Sequence, residues 1–255
     1  MAGPVRAKKH LGQHFLRDEE VAKAIVDALP PLKDEQLIEV GPGDGVLSKY
    51  LLERYPNVKL FDVDLESIAH LKEHFPMHRD QVIAQDFLQY NIDGPHAIIG
   101  NFPYNISSQI VFKMLERRTE VTCLVGMFQK EVAQRIASKE GSRVYGILSV
   151  LTQAFYDVEY LFTVDARSFE PAPKVESGVL RMIRKEKIDL PCDEKQFFSI
   201  VKRGFNQRRK MIRKSLKDLI PDPVPSSIEK YLTMRPEQLH YSDFVTLTLA
   251  LAPSK

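Results

Sequence analysis

Gln36-Leu37-Ile38-Glu39-Val40-Gly41-Pro42-Gly43-Asp44-Gly45-Val46-Leu47-Ser48-Lys49-Tyr50-Leu51-Leu52 is the stretch whose reading decides the fold. A short apolar run, broken only by Glu39, predicts a buried strand over Gln36–Val40. Three glycines at alternate positions then turn the chain, because a residue without Cβ accepts backbone angles and close approaches that others do not. Beyond the loop the spacing becomes helical over Val46–Arg54, and the start of that helix offers free N–H groups toward the loop. Working outward, further strands are expected at Val58–Val63, Gln81–Ala84, His96–Asn101 and Val121–Phe128. Helices are expected at Leu65–His74, Ser107–Arg117 and Lys130–Ser138. Tyr145–Ala154 continues apolar, and Val158–Val164 and Ser177–Ile183 read as two more strands, near enough in sequence to form an antiparallel edge pair. Strands separated by helices at this spacing predict an α/β fold, with a Rossmann-like, doubly wound, mainly parallel sheet.

After Lys185 the texture changes. Pro191-Cys192-Asp193-Glu194 reads as a linker and helix start, and Phe197–Phe205, Arg208–Leu219, Ser226–Tyr231 and Ser242–Leu251 suit a small all-α C-terminal domain. Pro221-Asp222-Pro223-Val224-Pro225 breaks two of its helices apart. The expected division is therefore residues 1–185 and 186–255. With 255 residues, 44% hydrophobic, such a chain buries a full core without disulfides. Cys123 and Cys192 stand far apart and make no disulfide or metal-binding pattern, so a reducing cytoplasm and no metal are expected. Met1–Leu16 is basic without the apolar segment of a secretory signal. No apolar run approaches the roughly 20 residues that a membrane span needs, so no membrane partner is expected.

Net charge is only +2, but its distribution is uneven. Arg6, Lys8, Lys9 and Arg17 crowd the N-terminus; Lys202, Arg203, Arg208, Arg209, Lys210, Arg213, Lys214 and Lys217 follow one another without an intervening acid. Two basic ends around a balanced middle point to a polyanionic partner, with solvated helix faces as the plain alternative.

The loop at Gly41–Gly45 is followed, about twenty residues on and at the end of the next strand, by Asp62 and Asp64, where a carboxylate can accept the two hydroxyls of a ribose. That spacing also permits a dinucleotide, but the glycines lack the G-x-G-x-x-G phosphate arrangement. S-adenosylmethionine carries no phosphate, so a loop shaped for a ribose and an amino-acid tail suits it better. Asp86 ends the third strand, where it can accept from the adenine amino group of a cofactor or simply cap a turn.

Asn101-Phe102-Pro103-Tyr104 closes the fourth strand. The exocyclic nitrogen of adenine is a poor nucleophile because its lone pair is delocalised into the ring. Two acceptors aimed at its two N–H bonds, the Asn101 side-chain oxygen and the Phe102 carbonyl, would draw it toward tetrahedral geometry and localise that pair. Tyr104 can stack on the base while Pro103 stiffens the turn. Positioning and electrostatics then carry most of the catalysis, with no strong base needed before attack.

At these residues the chain resembles the bacterial small-subunit ribosomal RNA adenine N6,N6-dimethyltransferases, whose loss confers kasugamycin resistance. The resemblance runs along nearly the whole chain, through Leu11–Leu16, Glu39–Gly45, Gly100–Ser107, Gln129–Val132, Tyr145–Ser149, Phe169–Val175 and Phe205–Lys210. It implies that His14, Leu16, Gly41, Gly43, Asp62, Asp86 and Asn101 line an S-adenosylmethionine site, and that Phe169 faces Tyr104 across a flipped adenine. It implies two adjacent adenosines in a hairpin loop near the 3′ end of small-subunit rRNA as substrate, within an immature subunit, and a role in assembly. His14, Asp62 and Phe102 stand where that family generally has Asn, Glu and Leu.

The macrolide-resistance type of large-subunit adenine methyltransferase shares these pocket motifs. The basic run, with Arg208, Arg209, Lys210 and Arg213 as expected phosphate contacts, favours the small-subunit family. DNA adenine methyltransferases usually carry larger target-recognition regions. A binding protein whose catalysis is secondary is the alternative of another class; the intact loop and tetrapeptide argue against a dead enzyme. A monomer is expected.

Overall fold

The computed structural model describes residues 5–187 and 190–251. The outermost residues of the two expected domains, 1–4 and 252–255, and the pair 188–189 lie outside the described residues. In chain order the strands are β1 (Phe15–Leu16), β2 (Gln36–Val40), β3 (Lys59–Asp62), β4 (Val82–Ala84), β5 (His96–Asn101), β6 (Val121–Gln129), β7 (Tyr156–Val164), β8 (Phe169–Glu170) and β9 (Ser177–Arg184). The helices are α1 (Glu19–Asp27), α2 (Ser48–Arg54), α3 (Leu65–His74), α4 (Ser107–Glu116), α5 (Lys130–Ala137), α6 (Ile147–Phe155), α7 (Glu194–Asn206), α8 (Ile212–Ser215) and α9 (Tyr241–Leu251).

Seven strands form one sheet in the order β4-β3-β2-β5-β6-β9-β7. Pairing is parallel from β4 through β6 and antiparallel between β6 and β9. The chain order reverses beside β2, which is the switch point where open α/β sheets place their ligands, outside the carboxyl ends of the strands. The two late strands lie together at one edge as expected, with β9 inserted between β6 and β7. β1 and β8 make a separate two-residue antiparallel ladder, with Leu16 opposite Phe169.

Contacts divide the chain into two compact units: Met1–Ala133 with Val158–Arg184, and Gln134–Asp157 with Lys185–Lys255. A single cut after 185 therefore misplaces Gln134–Asp157. Helix α6 packs on α7 and α9, and an apolar helix goes where it buries most area. In the first unit the core joins α1 and α2 to the sheet through Ile25, Leu51, Ile99 and Val125. In the second, Phe205 stacks on Phe244 with ring centroids 5.9 Å apart, and Gly204 brings α7 close to Phe244 and Pro236.

The expected helix Arg208–Leu219 is shorter than its pattern. α7 ends at Asn206, Arg208–Lys210 lie in turns, and only Ile212–Ser215 is α-helical before a short 3₁₀ turn at Lys217–Leu219. Three adjacent cations without acidic partners one turn away gain nothing from helical ion pairs, whereas a turn there lets both Phe205 and Ile212 reach the core. Ser226–Tyr231 is likewise replaced by a 3₁₀ segment at Glu229–Thr233.

Candidate active site

The loop after β2 wraps a cavity of about 180 Å³ within the first unit. Gly41 and Gly43 both have positive φ, 71° and 59°. A Cβ on Gly43 would meet the Phe15 ring at 2.9 Å, and one on Gly41 would meet Pro103 Cδ at 3.1 Å. The glycines are thus needed twice, for the turn and for letting both β1 and the tetrapeptide approach it.

Of the two acids after β3, Asp62 lines this cavity and Asp64 does not. Asp62 is buried; its Oδ2 accepts the Gly43 N–H at 3.2 Å and its Oδ1 accepts the Asp64 N–H at 2.9 Å. Burial raises its pKa, against the lowering pull of those two bonds. Asp64 serves the fold: it caps α3 and takes an ion pair from Lys8 and a bond from Gln13. Asp86 accepts the Leu88 N–H at 2.9 Å as a cap, and it also lines the cavity. Leu16 also lines it, though its side chain is fully buried in the core.

The sequence reading missed Glu39, which lines the same cavity at 1% exposure. Ser48 Oγ donates to its Oε2 at 2.6 Å, and desolvation pushes its carboxyl up to about 8. The signal was a carboxylate inside an otherwise apolar strand, because acids are almost never fully buried without a task or a partner. Asp44, held by Arg17 on the rim, adds a further acid. A cavity walled by the carboxylates of Asp44, Asp62 and Asp86, with the protonated Glu39 carboxyl as a further polar group and glycines at its floor, suits a cationic ligand bearing hydroxyls better than a phosphate-bearing one.

Asn101, Phe102, Pro103 and Tyr104 all line the cavity. Asn101 Nδ2 donates to the His14 carbonyl at 2.9 Å. A carbonyl only accepts, so this bond fixes the amide with Oδ1 turned the other way, free to accept. The Phe102 ring is buried against Phe128, with centroids 5.2 Å apart, in space that exists because Gly100 and Gly126 have no side chain. Its N–H donates to the Met127 carbonyl at 3.3 Å, while no backbone N–H among the described residues donates to its own carbonyl. Two acceptors thus stand one residue apart on a pinned turn.

Tyr104 is fixed from a distance. Its hydroxyl is 2.6 Å from Oγ of Ser177, a fully buried residue at the start of β9, and burial raises the phenol pKa. Phe169, expected across the base from Tyr104, is not among the residues lining this cavity. Phe169 is 5% exposed and packs in the core cluster with Leu16, because its place in the β1–β8 ladder points it inward. The ring beside Tyr104 is His14, 5.3 Å away and tilted by 31°, with its Nδ1 2.7 Å from the Pro171 carbonyl.

In the second unit, the four expected phosphate contacts differ. Arg208 is half-buried and donates to the Arg143 carbonyl, and Arg213 Nε donates to the Leu232 carbonyl at 3.3 Å. Arg209 and Lys210 are exposed and, among the described residues, unpaired. Among the described residues no group of three or more His, Cys, Asp or Glu is placed to hold a metal, and no helix is long and apolar enough to cross a membrane.

A sheet of this order, with a glycine loop after one strand and a carboxylate closing the next, defines a methyltransferase of the S-adenosylmethionine-dependent, doubly wound class. The chain belongs to the ribosomal RNA adenine dimethylase family, which it matches over residues 5–248. It is similar to the ribosomal RNA small subunit methyltransferase A of Flavobacterium johnsoniae, 54% identical over 250 residues covering 96% of this chain and 95% of that one. Among solved structures it resembles a dimethyladenosine transferase from Plasmodium falciparum (TM-score 0.81, 26% identity, 92% of this chain and 96% of that one). It also resembles the 23S rRNA methyltransferase ErmE (TM-score 0.72, 25% identity, 92% and 99%).

Proposed function

We propose that this enzyme transfers methyl groups from S-adenosylmethionine to N6 of two adjacent adenosines in a hairpin loop near the 3′ end of small-subunit rRNA, dimethylating each. The observation that carries the chemistry is the orientation of Asn101: its amide nitrogen is spent on the His14 carbonyl, which leaves Oδ1 beside the Phe102 carbonyl as a pair of acceptors. The acid-lined cavity would hold the cofactor, with Asp62 accepting from the ribose, Asp44 facing the ammonium of its amino-acid tail and the protonated Glu39 carboxyl offering a hydrogen bond. When bound, the cofactor supplies an electrophilic methyl group on a sulfonium.

The chain's own residues do the rest. Asn101 Oδ1 and the Phe102 carbonyl accept the two N6–H bonds and localise the nitrogen lone pair. Tyr104, steadied by Ser177, presents an aromatic face to the base. Neither acceptor needs to ionise, so the surplus proton leaves after transfer. The preorganised acceptors do not reorient during reaction, which is where electrostatic catalysis gains most.

The small ribosomal subunit is the favoured substrate because the relatives along the full chain bear that name. Exposed Arg209 and Lys210 would meet rRNA phosphates, with Arg213 beside them. The enzyme would act as a cytoplasmic monomer on an immature subunit and mark a step in its assembly. The decisive experiment is transfer of labelled methyl to unmethylated small subunits, large subunits, naked rRNA and DNA, with digestion to separate mono- from dimethyladenosine. Dimethyladenosine from small subunits alone is expected; label in large subunits, or in DNA, would overturn the assignment.

A further inference from the structure

A second cavity of about 420 Å³ opens on the far side of His14 and Tyr104, and no step proposed above uses it. Gly12, Gln13, His14 and Tyr104 line both cavities, whereas Asn101, Phe102 and Pro103 line only the first. An acceptor base whose N6 reaches Asn101 therefore sits at the junction, and the second cavity lies beyond it. One wall is Pro171-Ala172-Pro173, stiff and without N–H donors at its prolines; Gln129 contributes an amide from the end of β6.

The charges around this cavity sort themselves. Lys8 is tied to Asp64 and Glu66, Arg17 to Asp44 and Glu170, and Lys130 to Glu176. Lys9 and Lys174, on opposite segments of the wall, are exposed and have no carboxylate partner among the described residues. Two unpaired cations flanking an apolar, proline-walled space beside a base-stacking tyrosine match a nucleotide: the base against the wall, the phosphate between the lysines.

We propose that this cavity is a subsite for the nucleotide adjoining the acceptor adenosine, with Lys9 and Lys174 holding its phosphate and Pro171–Pro173 packing its base. The subsite rests on the acceptor placement argued above. It makes recognition dinucleotide-sized, so the enzyme reads a base that it does not methylate in that turn. It also gives the Pro171 carbonyl a purpose: by accepting from His14 Nδ1–H it keeps the imidazole upright as the partition between the two bases.

The test uses RNA hexanucleotides with one adenosine as competitors of methyl transfer to unmethylated small subunits. One is intact, one has an abasic ribose 5′ to the adenosine, one has it 3′, and one has no adenosine. Loss of the base on one side should weaken inhibition about fivefold or more, the lower bound for losing one base stack. Ala172→Trp, which fills the cavity from an exposed position, should erase that difference while cofactor affinity holds. Lys9→Ala with Lys174→Ala should lower the slope of log affinity against log salt by about 1.4, two phosphate contacts on a single strand. Equal inhibition by the three adenosine-bearing competitors, with the adenosine-free one weak, would sink the subsite and leave the acceptor pocket standing. An adenosine-free competitor as strong as the intact one would remove the acceptor placement, and the subsite with it.

Discussion

Gly126→Ala replaces one hydrogen by a methyl group in the middle of β6, far in sequence from the tetrapeptide, yet its Cβ would stand 2.0 Å from Cε2 of Phe102 and 2.7 Å from Cζ. Ordinary carbon contacts begin near 3.5 Å, so the ring has to retreat by roughly 1.5 Å. It has little room to move: the ring lies so near Gly100 that even a Cβ added there would stand 2.9 Å from Cε1, and Phe128 packs against it with ring centroids 5.2 Å apart. Overpacking of this kind costs about 1–3 kcal/mol in stability. The larger effect is on catalysis, because the Phe102 carbonyl moves with its side chain, and a misplacement of about 1 Å costs on the order of 100-fold in rate. Cofactor affinity should hold better than the rate, since Gly126 does not line the cofactor cavity and the Phe102 ring is buried against Phe128. The second change is Phe102→Leu, which removes the ring atoms that clash. Alone it should cost about 1 kcal/mol as a near-volume-conserving swap. Combined with Gly126→Ala it should restore most of the rate, a coupling that sites without contact do not show. Single-turnover methyl transfer and calorimetric cofactor titration on the four proteins give the cycle. A double variant no faster than Gly126→Ala alone would refute the argument that Phe102 acts through the placement of its carbonyl.

Asn101→Ala should lower single-turnover methyl transfer at least about 100-fold, the scale for losing one preorganised polar partner, and near-normal turnover on small subunits would end the two-acceptor mechanism. Tyr104→Phe and Ser177→Ala should each reduce kcat/KM on limiting RNA by roughly 2- to 10-fold, the worth of one hydrogen bond, and the double variant should be no worse than either; additive losses would mean that Ser177 acts elsewhere. Glu39 holds its proton to about pH 8 in the fold and only to its ordinary value near 4.5 when unfolded. Unfolding therefore releases a proton between those values, and the cofactor-free protein should lose stability as pH rises through that window. Glu39→Gln has no proton to lose and should show a flatter Tm profile from pH 5 to 8.5; parallel profiles would contradict the burial argument. Asp62→Ala should raise the cofactor Kd, and an unchanged value with a raised one for Asp64→Ala would exchange the roles of the two acids.

What the sequence made legible follows from how far each signal reaches along the chain. Gln36–Val40, Gly41–Gly45 and Leu65–His74 are local patterns, and the structure places them at or within a residue or two of the expected bounds. Asn101 and Tyr104 were readable as candidates because the chemistry proposed for them needs only one turn of chain. Their supports were not: the His14 carbonyl lies 87 residues from Asn101 and Ser177 lies 73 from Tyr104, and no periodicity records a bond across such distances. The division of the chain failed for the same reason, since α6 reads as apolar whichever helices cover it.

Phe169 shows the limit most sharply. A phenylalanine before Glu170-Pro171 is equally consistent with a base-stacking face and with core, and only the ladder that sets Leu16 opposite it decides for burial. With Phe169 inside, the second aromatic surface beside Tyr104 is supplied by His14, whose imidazole is steered by a carbonyl of the very segment that was expected to bring Phe169. In the subsite proposed above, the Phe169–Val175 segment takes part through the Pro171 carbonyl and its proline wall. In that arrangement His14→Ala should lose RNA capture more than cofactor affinity, because the proposed subsite puts the ring between two bases while its main-chain carbonyl holds Asn101. Equal loss of both, measured by cofactor titration beside competitor inhibition, would return His14 to the cofactor side and reopen the place of Phe169.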